Sequence, residues 1–347
     1  MTRIYFVNWN ALPKSVGGCE TVFASLQKEL GGEHVVYPFG ASTPPGAPKM
    51  MFIEEYKSWY FDSVLAETAS ESDIIIANCG IVNVWKKQKA KVINIYSDAY
   101  IRSQIEIIKT NYPESYNPLG ILRLSEMQIR SAKGAFNVAV SMAAKKAMEE
   151  LGIKCHAVIE HGVNPKFFRQ VPKDKARKEL GLDNGPVGMF IGLMQPVKNW
   201  RIVEALMKER DDIEWLIVLK QLVPSSRRFY MNNAHVFVAV DFSSMPLLYS
   251  AADFVVIPSV FETFGLVSVE AGLCNVPCVT NKVGWVNETG TTPYGYVVKR
   301  PVLEEYLKGI DVVLQNQFKP REYMTERFNY AEWVRKWKNL IESVKLK

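Results

Sequence analysis

The chain has 347 residues, a net charge of +6, and a composition that is 48% hydrophobic and 22% charged. A chain of this length exceeds the usual range of a single domain and predicts two domains, each with its own buried core. The basic excess is spread evenly over residues 1–170 and 171–347, which argues against a dedicated nucleic-acid-binding protein and is compatible with anionic ligands.

The cysteine content and the absence of long apolar runs indicate the compartment. The five cysteines are an odd number without a CxxC pair, which predicts reduced thiols and no metal site. No run approaches the roughly 20 apolar residues that a transmembrane helix requires. The N-terminal stretch MTRIYFVNWN is typical of a strand and not of a signal peptide. We expect a cytoplasmic protein without a transmembrane segment, and peripheral contact with a membrane stays open.

The first half of the chain alternates short apolar runs with helical patterns. Residues 4–7 (IYFV) predict a strand, and a glycine-containing loop then leads to a helix over 21–30 that ends at Gly31 and Gly32. Further strands are predicted at 34–39, 72–78, 91–98 and 135–141.

The second half repeats this alternation. Strands are predicted at 187–192, 214–220, 234–240, 253–259 and 277–281. Most of them are continuous apolar runs, which are typical of strands buried on both faces of a parallel sheet. The fold class is therefore α/β, with two doubly wound domains and a linker region over 163–181. Ligands of such sheets bind beyond the carboxyl ends of the strands.

The stretch PSVFETFGLVSVE (258–270) places two carboxylates around a predicted strand–helix junction. Glu262 follows the strand, Gly265 lets the backbone approach a ligand, and the amides of 264–267 form an anion site at the start of the helix. Glu270 lies about one and a half turns further on. This arrangement suits a sugar nucleotide. On spacing alone, a solvated loop carboxylate and a surface helix residue explain the two glutamates equally well.

The wider segment 248–288 closely resembles the donor-binding signature of retaining glycosyltransferases of the GT-B fold, glycosyltransferase family 4 (glycosyl transferases group 1). The family pattern is matched by A-A-D at 251–253, P-S at 258–259, E-x-F-G at 262–265, E-A at 270–271, V-P at 276–277 and a glycine at 284. The two glutamates match the E-x7-E motif of that family. The resemblance is dense in the second half of the chain and thin in the first.

This resemblance implies a GT-B architecture, with two Rossmann-like doubly wound domains facing across a cleft. An acceptor-side domain is expected at 1–165 together with a closing helix at about 328–347, and a donor-binding domain at 166–327. It also implies a retaining hexosyltransferase that uses a nucleoside-diphosphate sugar, such as a UDP- or GDP-sugar, without a cofactor or a metal. The acceptor, which is a glycan, a lipid-linked molecule or a small molecule, stays unidentified.

The segment FIGLMQPVKNWRIVEAL (190–206) resembles the strand, loop and helix that bind the donor diphosphate in this family. Lys198 matches the family's lysine, whereas Leu193 stands where an arginine is usual. Because negative charge develops on the leaving diphosphate, a missing cation matters. Lys220, at the end of the next predicted strand, is our hypothesis for its replacement. The alternative is a lysine that caps a strand in solvent.

The first half contributes three further comparisons with the family. Gly17 and Gly18 match its G-G loop, which in the family borders the donor phosphate and the acceptor pocket; the alternative is a plain turn between a strand and a helix. Many members have a histidine that touches the transferred sugar, but here Ser97 and Asp98 follow the corresponding strand. Asp98 either contacts the sugar or caps a helix. His161 replaces a usual asparagine and is interpreted as a structural loop residue.

The catalytic candidates are Glu262, Lys198 and Asp98. The candidate donor-binding residues are Gly17, Gly18, Gly192, Lys198, Lys220, Glu262, Thr263, Phe264, Gly265, Leu266, Val267 and Glu270. Two other functions stay open. A nucleotide-sugar-binding protein without transfer activity is favoured by Leu193 and by the missing histidine, and a nucleotide-sugar epimerase on the same fold is the weaker alternative.

Overall fold

The computed structural model describes residues 2–9, 17–39, 42–50, 52–97, 109 and 118–346. The chain folds into two compact units, the first formed by Met1–His161 with Glu332–Lys347 and the second by Gly162–Ala331. The boundaries expected from the sequence, after 165 and after 327, differ from these by four residues each.

The described residues of the first unit form a parallel sheet of six strands. The strands are β1 (Ile4–Val7), β2 (Glu33–Val35), β3 (Ile74–Asn78), β4 (Lys91–Tyr96), β5 (Phe136–Ala139) and β6 (Ala157–Val158). Their order in the sheet is β2-β1-β3-β4-β5-β6. All five residues of β3 are buried, as its apolar run predicts for a strand covered on both faces.

The second unit, which is described throughout, contains a sheet of seven strands. These are β7 (Val187–Gly192), β8 (Glu214–Leu219), β9 (Ala234–Val238), β10 (Phe254–Ile257), β11 (Cys278–Thr280), β12 (Gly290–Thr292) and β13 (Gly295–Val297). Their order is β12-β13-β11-β10-β7-β8-β9, and only β12 runs antiparallel to its neighbour. The six parallel strands thus have the doubly wound order, which reverses between β7 and β10.

Helices of the described residues accompany both sheets. They are α1 (Gly18–Leu30), α2 (Ile53–Thr68), α3 (Pro118–Ala132), α4 (Met142–Glu150), α5 (Lys173–Leu180), α6 (Trp200–Glu209), α7 (Met245–Ala251), α8 (Leu266–Leu273), α9 (Leu303–Gln315), α10 (Pro320–Arg327) and α11 (Tyr330–Lys345). None of them is both long and apolar enough to cross a bilayer. Lys91 donates hydrogen bonds to the carbonyls of Val344 and Lys345, so a cation of β4 holds the C-terminus of α11.

Three details of the sequence prediction are wrong. The predicted linker contains helix α5, the strand predicted at 34–39 is confined to β2, and Gly18 is already helical. Ala176 is the one buried residue of helix α5. The sequence of this helix therefore lacks the apolar periodicity from which a helix is predicted. The helix is attached instead by ion pairs, since Lys173 and Arg177 each lie 2.6 Å from the carboxylate of Asp253.

Candidate functional site

Two loops leave the second sheet at the point where its strand order reverses. One follows β7 and the other follows β10, and these strands are neighbours in the sheet. The backbone N–H of Val260 donates to the carbonyl of Val197 over 2.9 Å, so the two loops are joined directly. Doubly wound sheets bind ligands at this position.

The side chains of these loops form an ion pair. Lys198 Nζ lies 2.6 Å from Glu262 Oε1, and the two side chains are 23% and 16% exposed. Lys198 ends a short 3₁₀ turn, Pro196–Lys198, and its stem passes Gly192, where a Cβ would lie 3.7 Å from Lys198 Cγ. Both side chains are partly exposed to solvent, so a ligand at this edge of the sheet can contact both charges.

The N-terminus of α8 opens on the same loop as Glu262. Gly265 precedes the helix in the left-handed region, with φ 94° and ψ 53°, and provides no side-chain cap. A Cβ there would approach no atom closer than 3.8 Å, so the backbone conformation, and not a lack of space, requires glycine. The amides of Leu266 and Val267 have no intrahelical acceptor because they begin the helix. The resulting partial positive charge suits an anion.

A third loop holds this N-terminus in place. A Cβ on Gly284, whose φ is 65°, would collide with the carbonyl oxygen of Phe264. The backbone N–H of Trp285 donates to that oxygen over 3.0 Å, and Trp285 Nε1 donates to Ser268 Oγ over 2.9 Å. Trp285 therefore fixes both the loop before α8 and the first turn of the helix.

Glu270 lies one turn inside α8 and is 7% exposed. It is therefore not a solvated residue of the helix surface. The hydroxyl of Tyr249 donates to Glu270 Oε2 over 2.8 Å. Burial raises the pKa of the Glu270 carboxyl to about 7, and the hydrogen bond from Tyr249 acts in the opposite direction. A carboxyl in this state ionises near neutral pH.

The position of Lys220 follows from the register of β7 and β8. Gly192 pairs with Leu219 as the last pair of these strands. Leu193 and Lys220 therefore leave neighbouring strands at the same edge of the sheet. Lys220 is half-buried. The structure thus brings a lysine beside the position at which the family resemblance leads one to expect an arginine.

The remaining candidates of the second unit line the loop before α8 and its first turn. Thr263 and Phe264 are buried, whereas Leu266 and Val267 are half-buried. Among the residues that the structure describes, no group of three or more His, Cys, Asp and Glu side chains could hold a metal ion.

The candidates of the first unit are only partly described. Gly17 is the N-cap of α1, with an extended backbone, and Gly18 is the first residue of that helix. Thr21 Oγ1 donates to the carbonyl of Gly17 over 2.9 Å. Asp98 lies outside the described residues. His161 is 3% exposed, and burial lowers its pKa to about 3, so its imidazole is neutral.

Two residues that support this site were not singled out from the sequence. Tyr249 lies in an apolar helix, which indicates a core residue and hides its polar contact with Glu270. Asn281 Nδ2 donates to the carbonyls of Pro258 and Ser259 over 3.1 and 2.8 Å, and so holds the loop after β10. Asn281 is the last residue of the predicted strand 277–281, and a polar side chain at this carboxyl end was the available signal.

Comparison with known proteins gives a family match within the second unit. Residues 172–329 match the model of the family glycosyl transferases group 1. A D-inositol 3-phosphate glycosyltransferase from Segniliparus rotundus is 34% identical over 142 residues, which cover 37% of this chain and 32% of that protein. The chain therefore matches about a third of the length of that relative.

Solved structures resemble the chain over almost its whole length. A sucrose-phosphate synthase from Thermosynechococcus elongatus has a TM-score of 0.80 at 16% identity and covers 99% of each chain. HepE from Anabaena, in complex with UDP and glucose, has a TM-score of 0.73 at 18% identity and covers 99% of this chain and 100% of its own. At these identities the likeness concerns the fold, and the predicted GT-B fold class with two Rossmann-like units is confirmed.

Proposed function

We propose that this chain, which carries a glycosyl transferases group 1 domain on the GT-B fold, is a retaining hexosyltransferase that uses a nucleoside-diphosphate sugar. The observation that carries the proposal is the Lys198–Glu262 ion pair beside the open N-terminus of α8. A cation, free amides and a carboxylate meet there, where a doubly wound sheet binds its ligand.

The diphosphate is assigned to Lys198 and to the amides of Leu266 and Val267. Negative charge builds up on the leaving diphosphate as the bond to the sugar breaks, and donors that are already in place stabilise it. Leu193 contributes no charge, so Lys220, which leaves the neighbouring strand at the same edge, supplies a second cation. We propose that these groups neutralise the diphosphate without a metal.

The sugar and the ribose are assigned to the two carboxylates. Glu262, held by Lys198 at 2.6 Å, accepts hydrogen bonds from sugar hydroxyls, and the backbone of Thr263, Phe264 and Gly265 lines that position. Glu270, buried one turn inside α8, accepts hydrogen bonds from the ribose. A carboxylate has about four acceptor positions, so each of these residues can bind a diol.

The acceptor is assigned to the first unit. Gly17 and Gly18 at the start of α1, and Asp98 after β4, are the residues proposed for that side. The name of the matched relative places inositol 3-phosphate among the acceptors to be tried, together with glycan and lipid-linked acceptors. Retention of the anomeric configuration rests on the family resemblance.

The test follows the release of nucleotide from UDP-, GDP- and ADP-sugars, with and without acceptors. We expect release that depends on an acceptor, with one donor preferred, and a product of unchanged anomeric configuration by NMR. Glu262→Gln should abolish release, whereas the exposed-residue control Lys175→Ala should not change it. Binding without turnover for every acceptor would point to a binding protein, and isomerisation of the donor without an acceptor would point to an epimerase.

A further inference from the structure

We propose that Tyr249 is a positioning residue that orients the carboxylate of Glu270 for the ribose of the donor. The inference rests on the proposed function, because it concerns the residue assigned to the ribose. Nothing in the sequence pattern gives Tyr249 this role. It follows from the placement of α7 against α8 in the second unit.

The contact between Tyr249 and Glu270 is a buried hydrogen bond. Tyr249 is fully buried, and its hydroxyl donates to Glu270 Oε2 over 2.8 Å. A phenol has one proton to donate, whereas a carboxylate has two oxygens with several acceptor positions. The hydrogen bond therefore occupies one position on Oε2 and leaves Oε1 to a ligand. It also fixes the plane of the carboxylate.

Helix α7, which carries Tyr249, is itself held in place. The backbone N–H of Val171 donates to Ser250 Oγ over 2.9 Å. Arg177 Nε donates to the carbonyl of Ala251 over 3.0 Å. Since these contacts hold the two residues that directly follow Tyr249, its hydroxyl is presented from a fixed helix end.

The helix carrying Glu270 is held from its other side. A Cβ on Gly272 would lie 2.5 Å from Met324 Cγ of α10, so the two helices approach closely. Arg321 of α10 donates to the carbonyl of Leu273. With both helices fixed, the hydrogen bond between Tyr249 and Glu270 sets the orientation of the carboxylate.

The other titratable groups near this contact are neutral or bonded to main-chain carbonyls. The titratable neighbours are the thiols of Cys274 and Cys278, whose pKa values burial raises to about 12, and the guanidinium of Arg321, which donates to main-chain carbonyls. The thiols are therefore neutral. The hydroxyl of Tyr249 stabilises the ionised form of Glu270 against the effect of burial on its pKa.

Removal of this hydroxyl should have an effect specific to the ribose. In Tyr249→Phe the ring remains, but the carboxylate loses its orientation and its pKa rises further. A hydrogen bond to a charged group contributes about tenfold in an equilibrium constant. The variant should thus lose about tenfold in affinity for ribonucleotides at pH 7, and little for the corresponding deoxyribonucleotides.

Titration calorimetry tests this with UDP, 2′-deoxy-UDP and 3′-deoxy-UDP, and with the ADP and GDP series alongside, between pH 6 and 8.5. The wild-type protein should prefer the ribonucleotide most strongly above pH 7. Tyr249→Phe should abolish that preference at pH 7 and recover part of it at pH 8.5, where more of the carboxyl is ionised. Glu270→Gln should abolish it at every pH.

The outcomes separate the two proposals. If no nucleotide binds the wild-type protein, the proposed function is wrong and this inference with it. If nucleotides bind and Tyr249→Phe keeps the ribose preference and its pH midpoint, Tyr249 is only a packing residue and the proposed function stands.

Should Tyr249→Phe fail to fold, 3-fluorotyrosine at position 249 takes its place because it keeps the shape of the residue. Its more acidic phenol donates a stronger hydrogen bond. The pH midpoint of the ribose preference should therefore move down from that of the wild-type protein. An unchanged midpoint would overturn the inference.

Discussion

Replacing Glu270 with glutamine should remove a pH dependence of stability that the buried carboxyl creates. Burial raises the pKa of Glu270 from its ordinary value of 4.5 to about 7 in the folded protein. The folded state therefore binds this proton more tightly than the unfolded state. The stability that comes from the neutral acid is fully present below about pH 4.5 and is lost as the pH rises through 7. The loss amounts to about 3 kcal/mol in the unfolding free energy.

Urea unfolding of the wild-type protein and Glu270→Gln, from pH 5 to 8.5, measures this effect. Other titrating groups are common to both proteins and cancel in the difference between their unfolding free energies. We expect that difference to shift by about 3 kcal/mol in favour of the glutamine variant as the pH rises. A difference that stays constant across this range would refute the argument, because it would mean that Glu270 titrates equally in the folded and unfolded states.

Substitutions at four further positions test the site itself. Lys198→Ala should lower the transfer rate about a hundredfold, as the loss of a transition-state donor does, whereas Lys175→Ala should leave it unchanged; equal rates for the two variants would refute the role of Lys198. Lys220→Ala should also lose more rate than Lys175→Ala, and Leu193→Arg added to it should restore part of the loss. Gly265→Ala, at φ 94°, should lower the stability of the protein by about 1–2 kcal/mol and weaken nucleotide binding in calorimetry. An unchanged affinity would show that the amides at the N-terminus of α8 do not bind the nucleotide.

The parts of the fold that the sequence predicts are those in which burial alone decides the structure. The apolar run of β3 is buried on both faces, as is typical of strands in a parallel sheet. Helix α5 was missed because ion pairs to Asp253 hold it in place, and these depend on residues about 80 positions away. Strand β12, with its sequence Gly-Thr-Thr, has neither the length nor the apolar pattern of a predictable strand.

The candidate site also combines features that the sequence predicts with features that depend on tertiary contacts. The motif predicts that Glu262 and Lys198 belong to one site, but they are 64 residues apart, and their contact depends on β7 and β10 being neighbours. Alternation of strands and helices indicates a doubly wound sheet without giving the order of its strands. The contact between Tyr249 and Glu270 was beyond prediction from the sequence, because it depends on how α7 lies against α8.

A structure of the protein with a bound nucleoside diphosphate would show directly whether Lys198, the amides of α8 and Glu270 form one donor site. We expect the diphosphate within hydrogen-bonding distance of Lys198 Nζ and the amides of Leu266 and Val267, with a ribose hydroxyl on Glu270. A nucleotide bound away from the carboxyl ends of β7 and β10, or one that leaves Lys198 and Glu270 without contact, would contradict this expectation.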